Sequence, residues 1–236
     1  YLIFLSTSRI YPVQALRALG LDERATRFDL AEQQLLPGAG ANGISEQFPL
    51  AGARTLYGST KLAAELLIEE YRAAYGLRAV INRCGVITGP WQMGKADQGV
   101  FTYWMLAHHF RRPLRYIGFG GKQVRDLLHV EDLVALLHEQ LLDHERWDGA
   151  QVNVGGGHRR SLSLIETTAL CQEITGNQLE LSTEPESRPG DVPVYISDCT
   201  RLEGLTEWRP HRDARETLAD IHAWICAHER DLARAL

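Results

Sequence analysis

The chain has 236 residues, enough for one large or two small domains around a sizeable core, and its 44% hydrophobic and 23% charged residues are those of an ordinary globular protein. A formal net charge of -5 excludes the broad basic face that nucleic-acid binding needs, although arginines grouped locally can still hold a small anion. Four widely spaced cysteines, Cys84, Cys171, Cys199 and Cys226, argue against a zinc ribbon or a compact disulfide framework; with no apolar run near the roughly 20 residues of a membrane span, a cytoplasmic location is expected.

Residues 1–5 run apolar into Ser6-Thr7-Ser8 and read as a buried parallel strand that opens with no preceding cap. From 9 to 55 the proline and glycine content predicts a long excursion with at most short helices. Residues 59–75 place Leu62, Leu66, Leu67, Tyr71 and Tyr75 at helical spacing, with Gly76 as the stop, and 78–84 is a strand. A turn at 85–90, a helix at 101–110, a strand at 114–118, a helix at 131–142 and a strand at 151–154 follow.

Ser163 and Glu166 stand at capping-box spacing before a helix ending near Gly176. Short strands at 179–182 and 194–197 precede a closing helix over 213–232, with Leu218, Ile221, Trp224 and Ile225 on one face. This alternation predicts an α/β fold, a partial Rossmann-like doubly wound parallel sheet with a smaller carboxy-terminal α/β lobe. The expected division gives residues 1–93 and 125–155 to the sheet domain and 94–124 and 156–236 to the lobe.

Tyr57-Gly58-Ser59-Thr60-Lys61 sets a phenol and an ammonium four residues apart at a helix start, on one face. A free tyrosine titrates near about 10, and a neighbouring cation favours the phenolate, so such a pair can act as an acid or base. The pair gains meaning from the upstream strand that ends in hydroxyl residues, a position where α/β sheets present ligand contacts. His108-His109 and His222 with Cys226 sit on predicted helices without a third and fourth ligand at recognisable spacing, so they read as core or surface residues and no metal site is expected.

A strand ending in Ser6-Thr7, four residues before Ile10-Tyr11, and then Tyr57-x-x-x-Lys61 resembles the catalytic triad of the extended short-chain dehydrogenases, the NAD-dependent epimerase/dehydratase family. Gly89-Pro90, Arg125-Asp126-Leu127-Leu128-His129-Val130-Glu131-Asp132, Asn153-Val154-Gly155, Arg188-Pro189-Gly190-Asp191 and Trp208-Arg209-Pro210 also have counterparts there. The resemblance implies NAD as cofactor, with Thr7, Tyr57 and Lys61 catalytic, Ser6 as the fallback for Thr7, and Ser6, Tyr57, Lys61 and Cys84 beside the cofactor. It implies a nucleotide-sugar substrate touched by Thr7, Gln98, Arg125, Arg188 and Asp191, the arginines suiting a diphosphate because a guanidinium fork meets two oxygens. It also implies a homo-oligomer.

Within that family, dehydratases follow the hydroxyl with Asp-Glu, where this chain has Ser8-Arg9; arginine cannot serve as an elimination base, which favours epimerisation. The run from Ser6 to Tyr11, Asp97-Gln98-Gly99, Gly121 to Asp126 and Ser161-Leu162-Ser163-Leu164 are most similar to the CDP-paratose 2-epimerase group, which implies C2 inversion of a CDP-linked dideoxyhexose through a keto intermediate. A family asparagine near the substrate is replaced by Val86, which sets the chain apart from the 4-epimerases, the alternative within the family. No Gly-x-x-Gly-x-x-Gly follows a strand, so the first βα units, on the order of 100 residues, are expected to lie outside this sequence. A non-catalytic sugar-nucleotide-binding remnant is the competing expectation.

Overall fold

Alternating apolar strands and amphipathic helices bury their common faces only by stacking in layers. The computed structural model, which describes residues 1–95 and 98–235, shows such a layering. Its principal elements are β1 (Leu2–Thr7), α1 (Leu56–Tyr75), β2 (Ala79–Cys84), β3 (Val86–Thr88), α2 (Val100–His109), β4 (Leu114–Ile117), β5 (Val124–His129), α3 (Val130–Leu142), β6 (Gln151–Val154), β7 (Ser161–Ser163), α4 (Leu164–Thr175), β8 (Leu181–Glu184), β9 (Val194–Tyr195), α5 (Ala214–Ala227) and α6 (Glu229–Ala235). Among the described residues no helix is long and apolar enough to cross a membrane. Asp97 lies outside the described residues.

β2 is the middle strand of a parallel sheet in the order β1-β2-β6, in register so that Thr7, Cys84 and Val154 stand side by side at the carboxyl ends. A second sheet is built on β5, with β3 and β9 parallel to it and β7 antiparallel. β3 lies within the segment expected as a turn, because residues 86–88 find a ladder partner in β5 that local sequence does not reveal.

The period of two along a strand sends neighbouring residues to opposite faces, and the two faces of β2 meet different helices. Val80, Asn82 and Cys84 face α3, where Leu133 and Leu136 are buried and Asn82 exchanges two amide hydrogen bonds with Gln140, at 2.8 and 2.9 Å. Ala79, Ile81 and Arg83 face α1. There Ile68 covers the apolar end, and Glu65, 1% exposed, meets Arg83, 2% exposed, through Nη2 at 2.8 Å and Nε at 3.2 Å.

The helical spacing of Leu66, Leu67, Tyr71 and Tyr75 does not mark the buried side of α1. These four are exposed, whereas Gly58, Glu65 and Ile68 are buried, because the charged pair takes the sheet-facing stripe. The helix also starts earlier than expected, at Leu56, since Thr55 Oγ1 accepts the Gly58 N–H at 3.1 Å as an N-cap.

The long excursion carries more order than its composition suggests: a short helix, Val13–Arg17, and two hairpins, Leu21–Glu23 with Phe28–Leu30 and Ala39–Gly40 with Gly43–Ile44. It buries Ile10, Tyr11, Leu16, Ile44 and Phe48 against Val194, Tyr195 and Ile196. In the carboxy-terminal part α2, α4 and α5 share a core that includes Trp104, Met105, Cys171, Leu218 and Ile221. The Ser163–Glu166 capping box and the left-handed Gly176 stop (φ 71°) are present as expected. The strand expected at 179–182 is shifted to β8, and the closing helix is divided at His228 into α5 and α6.

Removing one member of a buried ion pair leaves the other charge unpaired, at a cost of about 3–5 kcal/mol. Glu65→Ala is expected to lower the unfolding free energy by about that amount in urea titrations. The double variant Glu65→Leu/Arg83→Met is expected to recover most of the loss.

Candidate active site

The carboxyl ends of β1 and β2 receive the amino-terminal half of α1, and the contact depends on a residue without a side chain. A Cβ on Gly58 would lie 1.9 Å from the Arg9 carbonyl oxygen, so the first turn of α1 is pressed against the turn that follows β1. Tyr57, Lys61 and Glu65 then form an i, i+4, i+8 stripe running from solvent to the sheet: Tyr57 is 55% exposed, Lys61 half-buried and Glu65 buried.

Lys61 Nζ donates to the Leu5 carbonyl at 2.8 Å and lies 4.9 Å from the Phe4 ring centroid, so the ammonium sits at the strand end with two protons still to give. Its charge is felt at Cys84, where it opposes the effect of burial. Thr7 points to the other face from Ser6; its Oγ1 accepts the Arg9 N–H at 3.2 Å, which leaves its own O–H free to donate. The Ser6 hydroxyl donates to Glu65 Oε1 and is buried, so this fallback for Thr7 is committed to the helix–sheet contact. Tyr11 is another phenol nearby. Burial pushes it up to about 12, and it donates to Asn153 Oδ1 at 2.8 Å, which suits a structural and neutral role.

Beyond Thr7 a cleft opens between the turn after β1, Thr55 and the 188–192 segment, with Ser8, Arg9, Arg125, Gly190 and Tyr195 among its walls. Arg125, on β5, bonds Asp191 Oδ1 and the Val192 carbonyl, at 2.5 and 2.8 Å. Its pKa is lowered by burial, a trend that Asp191 opposes and the charge of Arg9 reinforces. Arg9 Nη1 donates to the Gly190 carbonyl at 3.2 Å, and Arg17 Nε to the Asp191 carbonyl at 2.8 Å. Arg17 and Arg54 line an adjoining cavity that shares Thr55 and Gly190 with the cleft. A protein of net negative charge therefore gathers arginines around one short loop.

The structure brings Thr7 and Lys61 to the strand ends, with Tyr57 one turn before Lys61 on α1, and it brings Arg125 to the cleft, where the Asp191 carboxylate holds it; Arg188 lies in the same loop as Asp191, and its carbonyl accepts from Arg17. Gln98 stands apart from that cleft: it is exposed, and its backbone exchanges hydrogen bonds with Lys95 at 2.8 and 3.0 Å. Sequence reasoning passed over Glu65, Arg9 and Arg17 as parts of the site. Glu65 had a visible signal, since an acid two helical turns after Tyr57 shares its stripe. Arg9 and Arg17 had none, because their place depends on a loop some 170–180 residues away.

The family model described as NAD dependent epimerase/dehydratase family matches residues 1–155. CDP-paratose 2-epimerase of Salmonella typhi is 26% identical over 228 residues, covering 94% of this chain and 64% of the relative. UDP-glucose 4-epimerase of Azospirillum brasilense is 30% identical over 196 residues, covering 76% of this chain and 55% of the relative. The chain thus spans between about half and two thirds of the length of these relatives. A solved UDP-glucuronic acid 4-epimerase from Bacillus cereus, in complex with UDP-glucuronic acid and NAD, superposes with a TM-score of 0.70 at 21% identity, covering 95% of this chain and 61% of that one, and shares the fold.

Burial pushes the Cys84 thiol up to about 12 and raises those of Cys171 and Cys199 as well, while Cys226 is exposed. At pH 8 the three raised thiols stay protonated, with Cys84 and Cys171 buried and Cys199 partly so. Titration of the native protein with a disulfide reagent is therefore expected to show one fast thiol, lost in Cys226→Ser, with the other three reacting only after denaturation.

Proposed function

The chain belongs to the NAD dependent epimerase/dehydratase family, and from that premise we propose that it works as an NAD-dependent nucleotide-sugar epimerase, inverting C2 of a CDP-linked dideoxyhexose. The observation that carries the reading is that β1 ends in Thr7 while Lys61 of α1 bonds the Leu5 carbonyl of the same strand, with Tyr57 one turn before it. In this reading residues 1–93 and 125–155 serve the cofactor side, and 94–124 with 156–236 form the sugar-nucleotide lobe.

The residues present fit a nicotinamide cofactor at the strand ends. Lys61 keeps two N–H groups for ribose hydroxyls, and Tyr57 is open to solvent. Cys84, buried at the end of β2, supplies wall rather than chemistry, and Ser6 is held by Glu65. The chemistry that NAD would supply there is the acceptance and return of a hydride at the sugar carbon.

The chain's own groups handle the proton. Tyr57 takes it from the sugar hydroxyl and gives it back, and Lys61 supplies the positive charge that a phenolate needs beside it. The Thr7 hydroxyl donates to the same sugar oxygen and fixes its direction toward Tyr57. Arg9, Arg125 and Arg188 meet the diphosphate, while Asp191 positions Arg125 rather than touching the substrate.

The CDP-sugar and C2 position rest on the similarity to CDP-paratose 2-epimerase along 94% of the chain and on Arg9 and Val86. A 4-epimerase of a UDP-sugar is the second reading, favoured by the 30% identity to UDP-glucose 4-epimerase. Subunits are proposed to pair through the exposed side of α1, where Leu66, Leu67, Tyr71 and Tyr75 are each more than half exposed.

In the protein as its gene encodes it, Tyr57→Phe is expected to lower turnover by about 100- to 10,000-fold while leaving CDP-sugar affinity unchanged. Chromatographic separation of epimer pairs linked to CDP or to UDP checks this, and retained turnover in that variant would refute the assignment. Product from UDP-sugars alone would favour the second reading. Sedimentation velocity is expected to show a dimer that Leu67→Glu/Tyr71→Glu converts to a monomer.

A further inference from the structure

Three ligand-bearing side chains far apart in sequence converge in the carboxy-terminal part, on elements that do not contribute to the cleft. His222 and Cys226 are i and i+4 on α5, and His109 ends α2. His222 Nε2 lies 3.2 Å from His109 Nδ1 and 3.6 Å from Cys226 Sγ, and the three atoms fall within 4.8 Å of one another.

These lengths have a specific meaning. With bonds of about 2.05 Å to nitrogen and about 2.3 Å to sulfur, a tetrahedral zinc ion sets its ligand atoms about 3.3 Å apart for a nitrogen pair and about 3.6 Å for nitrogen and sulfur. Two of the three edges already match. The third, His109 to Cys226, shortens by a rotamer change of Cys226, whose side chain is exposed and free of a disulfide.

The other nitrogen of His109 provides an independent sign. Nε2 lies 3.4 Å from Glu229 Oε1, at the start of α6. An imidazole that binds a metal through one nitrogen commonly donates its remaining N–H to a carboxylate, which fixes the tautomer and leaves the facing nitrogen with its lone pair.

We propose that His109, His222 and Cys226 form a site for a divalent transition metal, a zinc ion by its donor set of two imidazole nitrogens and one thiolate sulfur, with a solvent-facing fourth position and Glu229 as the carboxylate behind His109. The ion would tie α2 to α5 across the core they share. Sequence spacing shows only the His222–Cys226 half of the site; the packing of α2 against α5 supplies the rest.

The test uses the whole chain, stripped with a chelator, with zinc and cobalt(II) salts as probes. Zinc is expected to bind one to one, survive desalting and raise the melting temperature, because an ion that binds only the folded state stabilises it. Cobalt should give a thiolate charge-transfer band that Cys226→Ser removes. His222→Ala should abolish retention, and Glu229→Gln should weaken zinc by about tenfold. Cys226 is exposed, so its substitution leaves the fold intact and keeps the result interpretable. No retained zinc in the wild-type chain, or retention and a cobalt band unchanged by both Cys226→Ser and His222→Ala, would overturn the site and leave a plain Glu229–His109–His222 hydrogen-bond relay.

Discussion

The buried ion pair between Glu65 and Arg83 sets the position of α1, and most of what surrounds the strand ends follows from it. Glu65 collects Arg83, the Ser6 hydroxyl and Gln151 Nε2 on one carboxylate, so α1 is tied at once to β1, β2 and β6. A charge pair so deep gains little over an apolar contact of equal volume, since desolvation offsets most of the attraction. Its directional bonds do something a leucine would not: they admit one rotation and one height of α1 over the sheet. Lys61, one turn earlier on the same stripe, thereby arrives at the Leu5 carbonyl, and Tyr57 one turn before that emerges into solvent.

The two faces of β2 divide the labour. Toward α3 the contact is apolar and closed by the Asn82–Gln140 amide pair, which satisfies both buried side chains without charge. Toward α1 it is polar and graded, from Ile68 and Ile81 at one end through Glu65 and Arg83 to Lys61 at the other. The gradient places the charged groups at the carboxyl ends, where an open parallel sheet offers its ligand crevice.

The cleft is assembled from segments with no local relation: the turn after β1, Thr55 at the start of α1, β5, and the loop before β9. Arginine side chains hold that loop chiefly by donating to its carbonyl oxygens, at Arg188, Gly190, Asp191 and Val192. Carbonyl acceptors do not neutralise a guanidinium, so the positive field remains in the cleft while the loop is fixed. Asp191 supplies a carboxylate bound to Arg125, and that pairing offsets part of the cost of burying it.

By itself the sequence determined the α/β alternation, the strand that ends in Thr7, the Tyr57-x-x-x-Lys61 helix and the arginines of the 125 and 188 segments, because local periodicity, capping residues and short motifs carry that information. The tertiary structure alone decided which side of α1 is buried. Leucine and tyrosine spacing pointed to Leu66, Leu67, Tyr71 and Tyr75, yet Glu65 faces the sheet because Arg83 waits there, a fact written 18 residues away. Long-range pairing likewise decided that residues 86–88 form a strand, that Ser6 is spent on Glu65, and that His109 meets His222 and Cys226. Each of these depends on a partner brought close by packing, and a side chain's chemistry is set by its partner as much as by its own type.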